Sequence, residues 1–227
     1  MITVIYFWRI PKRLIPFAIT RIALDRRVLK KNNSISFFKL LGCGHGKSFT
    51  PMDADAQRWG LLICIDEKTL AEFNESLIIR RWRDKSVSEF RAILHPISSH
   101  GQWSGKSPFG NFDRASSTHE TVSDESQVVA ITRARIAWLK YPRFLRSIPP
   151  VRADLQANPG MISALGIGEA PIGLQGTFSL WESESALREF AFKGRAHADA
   201  ISATKEFGWY KEELFARFRV QEIRGSL

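Results

Sequence analysis

The chain is 227 residues long, 44% hydrophobic and 11% aromatic, with a formal charge of +10 from 33 Lys plus Arg against 23 Asp plus Glu. That length and apolar content are enough to bury a sizeable core and exclude general disorder. Two cysteines, Cys43 and Cys64, exclude a disulfide framework, and no apolar run of eighteen or more residues signals an ordinary spanning helix.

Met1 through Trp8 is apolar with no basic stretch ahead of it and reads as a first strand near 2 to 8 rather than a signal peptide, so a cytoplasmic location is the default expectation. Residues 1 to 40 then carry nine basic residues (Arg9, Lys12, Arg13, Arg21, Arg26, Arg27, Lys30, Lys31, Lys39) against one acid, Asp25. Interleaved apolar residues from Leu14 to Leu29 predict a helix over about 13 to 30 with a wide apolar face. Such a face packs on a sheet. A basic amphipathic helix also suits peripheral contact with a membrane surface, or nucleic acid, although no specific nucleic-acid recognition motif accompanies it.

Further strands are predicted near 35 to 41, 59 to 65 and 89 to 94, with a helix over 67 to 86. That helix carries Arg80-Arg81-Trp82-Arg83, which joins bidentate anion donors to an aromatic face. It suits the carboxylates of a cofactor, or a solvated helix edge with Trp82 packed inward. Gly101 to Phe109 is glycine-rich and aromatic without helical period, and reads as an ordered loop and candidate cavity lid. The polar stretch 114 to 126 reads as a linker or exposed loop between halves at 1–113 and 127–227. In the second half, strands are predicted near 127 to 134, 161 to 166, 174 to 181 and 216 to 223, and helices near 151 to 157, 184 to 206 and, briefly, 209 to 215.

The halves share motifs in the same order. Leu41-Gly42-Cys43-Gly44 is matched by Leu165-Gly166-Ile167-Gly168, and Gly60 to Asp66, leading into Leu70-Ala71-Glu72-Phe73, by Gly176 to Glu182, leading into Leu187-Arg188-Glu189-Phe190. The expected fold is α+β: tandem ferredoxin-like halves whose antiparallel sheets pack face to face around a central cavity. The first glycine motif is not a phosphate loop, because Leu41 stands where the pattern needs glycine. A tight turn bordering the cavity fits it better, with glycine permitting positive φ or a close backbone approach.

Among five histidines, His197 shares a helix face with Phe190, Ile201 and Thr204 and is flanked by Ala196 and Ala198. It is either a satisfied core histidine or a group facing a flat ligand, including haem iron. His95, His100 and His119 fall in or near loop-like segments, with no structural zinc spacing.

The chain resembles the spheroidene monooxygenase family through Phe38 to Gly44, Phe49-Thr50-Pro51, Arg80 to Arg83, Gly101 to Phe109, Gly160 to Glu169 and the tail from His197 through Phe218. The resemblance implies a haem monooxygenase that uses molecular oxygen and an electron donor to turn an acyclic carotenoid, or a similar apolar substrate, into a keto product. It makes His197 the preferred axial iron ligand, with His45 its rival. Arg80, Arg81 and Arg83, and less readily Arg217, become candidates for the haem propionates, and Trp103 and Phe109 for lining an apolar substrate channel. A cofactor-independent monooxygenase and a non-enzymatic haem or lipid carrier remain open, because fold alone does not set chemistry.

Overall fold

The computed structural model of the chain describes residues 1–48, 50–110, 126–136, 153–155, 157–169, 176–193 and 210–227. Its strands are β1 (Ile2–Arg9), β2 (Ile35–Gly44), β3 (Ala54–Ile65), β4 (Ser88–Gly101), β5 (Val128–Ile136), β6 (Met161–Gly168), β7 (Gly176–Trp181) and β8 (Tyr210–Gly225). Its helices are α1 (Ile15–Lys30), α2 (Leu70–Asn74), α3 (Leu77–Lys85) and α4 (Glu184–Lys193). No helix among the described residues is long and apolar enough to cross a membrane.

The eight strands close into one antiparallel barrel in the order β1-β3-β2-β6-β7-β5-β8-β4. Strand alternation sorts side chains to two sides of the wall. Ile5 and Phe7 of β1, Leu62 of β3 and Phe178 of β7 join one interior cluster. Val4, Tyr6 and Trp8 of β1 face outward into a second cluster with α1, α2 and α3. There Trp82 of α3 stacks on Trp8 with centroids 5.2 Å apart and meets Phe17 of α1 edge-on at 5.7 Å. Its indole N–H donates to Asp25 at 3.0 Å, and Arg21 neutralises that fully buried carboxylate. On the other side of the barrel, α4 covers β5 and β7 through Leu187, Val128 and Trp181.

The expectation of two sheets packed face to face is corrected by the two seams. β4 pairs β8 over almost its whole length, from Phe90↔Gly225 to Gly101↔Leu214, and β2 pairs β6 at Gly42↔Gly168 and Cys43↔Ile167. Those bonds leave no separate second sheet, and a single wall encloses the core. The strand order β4-β1-β3-β2 nevertheless recurs as β8-β5-β7-β6 around the ring. The matched Leu-Gly-x-Gly motifs are therefore the strand ends that meet at a seam, not turns. None of their glycines has positive φ.

Other boundaries differ too. The helix expected over 67 to 86 breaks after Asn74, and Ser76 caps the start of α3. β4 runs through His95 and His100, which were expected in or near loop-like segments. Pro96 is accommodated there at a register shift between Pro96 and Ser98, where a missing N–H costs little. Residues 210 to 215 are strand, not helix, because β5 pairs with them along one edge and β4 joins on the other from Leu214. The expected linker lies outside the described residues but for Ser126, as does the part of the expected 184 to 206 helix past Lys193.

Candidate active site at one mouth of the barrel

Three strands carry an ionised residue where their alternation calls for an inward apolar one. Lys39 follows Phe37 and precedes Leu41 on β2, Arg133 follows Val129 and Ile131 on β5, and Glu212 precedes Leu214, Ala216 and Phe218 on β8. Glu169 directly follows the end of β6. These four residues meet at one mouth of the barrel.

Lys39 Nζ lies 2.6 Å from Glu169 Oε2, Arg133 lies 3.4 Å from Glu169 Oε1, and Arg133 also pairs with Glu212. Two cations thus balance two carboxylates, which lowers the cost of placing charge beside an apolar interior. Burial alone would push the Glu169 carboxyl up. The hydrogen bonds from Lys39 and Trp103 and the charges of Lys39 and Arg133 outweigh it and hold that carboxyl below the usual range. Glu212 is likewise held low against its own desolvation, by the Ser104 and Gly105 amides and by Arg133.

The loop expected as a lid sits on this cluster. Trp103 is 1% exposed and donates its indole N–H to Glu169 Oε1 at 2.8 Å. Lys39 and Arg133 lie 5.7 and 6.0 Å from the Trp103 ring centroid, where a ring face attracts cations. Phe109 is 4% exposed and meets Phe218 edge-on at 4.8 Å. Trp103 and Phe109 therefore belong to the interior cluster.

The other predicted residues are elsewhere. Arg80 and Arg81 are exposed on α3 outside the barrel, and Arg83 pairs with Glu89. Arg217 alternates with the inward Ala216 and Phe218 of β8, donates to Ser98 and pairs with Glu184 of α4. The arginines are therefore not gathered with Trp103 and Phe109. His45 lies 3.4 Å from the buried Asp55, which also accepts from Arg9 at 3.1 Å. His95 is bonded to Gln221, and His100 is exposed on β4. His197 lies outside the described residues. Lys39, Arg133, Glu169 and Glu212 were not singled out from sequence, although a charge on the inward register of an otherwise apolar strand is the signal that marks three of them.

Spheroidene monooxygenase of Rhodobacter capsulatus is 33% identical to this chain over 214 residues, 93% of this chain and 86% of that relative. The chain belongs to the spheroidene monooxygenase family. Two further spheroidene monooxygenases agree: that of Cereibacter sphaeroides is 35% identical over 187 residues, 81% of this chain but 55% of that relative, and that of Rubrivivax gelatinosus is 30% identical over 191 residues, 83% and 70%. No family model matches the chain. Among solved structures, putative monooxygenases from Lactobacillus acidophilus and Fusobacterium nucleatum span the whole chain, with TM-scores of 0.37 and 0.42 at 11% and 9% identity. Likeness at that level carries no weight for the chemistry of this spheroidene monooxygenase relative.

Proposed function

We propose that this chain is an oxygen-dependent monooxygenase that converts an acyclic carotenoid, or a similarly extended apolar molecule, to a ketone. The observation that carries the reading is family membership across 93% of the chain. Each turnover would place one atom of O2 in the substrate and reduce the other to water, with two electrons from a donor and two protons. A second oxidation at the same carbon gives a geminal diol that loses water to the ketone. In this reading the interior aromatics Phe37, Phe178 and Phe218 exclude water, and the charged mouth orients the entering end of the substrate.

Haem is the cofactor the resemblance implies, and it would supply oxygen activation. The described histidines do not fit it: His45 lies against the buried Asp55, His95 is bonded to Gln221 and His100 is exposed on β4, and none belongs to the interior cluster. The haem reading therefore rests on His197, and no step above passes through it. The deciding experiment is an absorption spectrum of the purified protein, followed by O2-dependent turnover of an acyclic carotenoid. A Soret band lost in His197→Ala but kept in His45→Ala supports haem on His197. Ketone formation without haem supports the cofactor-independent reading, and haem without O2-dependent product supports a carrier.

A peripheral membrane contact completes the reading, since an extended hydrocarbon partitions into lipid. Of the nine cations in residues 1 to 40, Arg9, Arg21 and Lys39 are ion-paired with Asp55, Asp25 and Glu169. The other six (Lys12, Arg13, Arg26, Arg27, Lys30 and Lys31) are exposed on or beside α1 and have no ion-pair partner among the described residues. Exposed Ile19, Leu24 and Val28 share that helix, so its outer surface complements an anionic bilayer in charge and offers apolar side chains to it.

A further inference from the structure

Every member of the interior cluster comes from a barrel strand except two, Trp103 and Phe109, which come from the loop after β4. They fill the barrel from its mouth. Trp103 meets Phe37 at 5.8 Å, and Phe109 meets Phe37 at 6.4 Å and Phe218 at 4.8 Å. Their backbone is not part of the wall. Beyond Gln102 N–H donating to Glu213 O at 2.7 Å, the loop is fastened by side chains: Glu169 accepts from Trp103, Lys39 Nζ lies 2.6 Å from Ser104 Oγ, and Glu212 accepts from the Ser104 and Gly105 amides at 2.9 Å each. Gly101 and Gly110, both at φ +88°, bracket the segment in a conformation that side-chain-bearing residues rarely adopt.

We propose that Trp103 and Phe109 are a removable plug, that the volume they occupy is the binding site for an extended apolar ligand, and that Glu169 is the latch. This rests on the proposed function only for the chemical class of the ligand. An eight-stranded barrel is just wide enough to be filled by side chains or to hold one small ligand, so exchanging two aromatic side chains for an apolar chain keeps the core filled. The wall they would leave includes the rings of Phe37 and Phe218. The fastening is suited to reversal, because Glu169 is 35% exposed and water can replace its bonds at little net cost. Lys39 and Arg133 would then remain at the rim as hydrogen-bond donors for a polar end of the ligand.

The test uses the methyl ester of parinaric acid, an uncharged linear polyene that fluoresces when buried, and needs neither oxygen nor a donor. Failure of the plug is thereby separated from failure of the monooxygenase reading, which is judged by turnover. Glu169→Gln, with an unchanged circular dichroism spectrum, should bind the probe several-fold faster than wild type, and Trp103→Ala about tenfold more tightly. Hydrogen exchange on the wild-type protein covers the case in which either variant fails to fold: the Ser104 and Gly105 amides should lose protection when the probe binds. Wild-type rates and affinities in both folded variants, or loop amides equally protected with and without probe, would overturn the proposal.

Discussion

Glu169 and Glu212 act through charge placed at the end of an apolar interior, and their titration has a definite sign. A carboxyl held below its usual range in the folded state contributes stability that is present above the unfolded value, about 4.3 for glutamate, and is lost as pH falls through the folded one. Melting temperature should therefore fall as pH drops below the ordinary glutamate range, and thermal melts of Glu169→Gln should show a shallower fall across that window. The thiols behave in the opposite direction. Burial pushes Cys64 up to about 12, against a hydrogen bond with Thr3, and pushes Cys43 higher still. Both should resist iodoacetamide at neutral pH in the native protein and react once it is denatured; labelling of either in the folded state would contradict their burial.

Strands buried on both faces follow from continuous apolar runs, and α1 follows from its one-sided apolar face. β1, β2 and β3 were readable because apolar residues occupy both faces, one toward the interior and one toward α1 and α3. The start of β8 was not, although its 216 to 223 stretch was, since Tyr210 to Phe215 has a helix-compatible composition that pairing with β5 overrides. Gly60 and Gly176, matched between the halves, are places where strands tolerate no side chain. A Cβ on Gly60 would lie 2.9 Å from the Phe7 ring, and one on Gly176 would lie 2.6 Å from the Thr132 carbonyl oxygen. Gly176→Ala should destabilise the protein by about 1–3 kcal/mol in urea unfolding, and Gly60→Ala by less, because a backbone oxygen yields less than a ring.

At the level of the assembled protein, the basic segment divides: six of its cations lie on the outer surface on or beside α1, and Lys39 joins the charged mouth. Sedimentation with anionic vesicles at low salt should carry the protein down, added salt should release it, and neutral vesicles should not retain it. Replacing Arg26, Arg27, Lys30 and Lys31 by Gln should abolish binding without altering the fold. Equal absence from both pellets for the wild type would reject the membrane contact.

Local pattern was enough for the alternating strands, the amphipathic first helix, the repeated Leu-Gly-x-Gly motif and the family resemblance, because each depends on residues close together in the chain or on their order. The barrel was not within its reach. Closure depends on Gly42 meeting Gly168 and Phe90 meeting Gly225, partners more than a hundred residues apart whose backbone bonds leave no trace in side-chain period. The same holds for the site. Lys39, Arg133 and Glu212 show in the sequence only as charges within apolar strands, and closure is what sets them and Glu169 against one another. Only the folded arrangement then separates the three cations of the first forty residues that neutralise carboxylates from the six that face solvent.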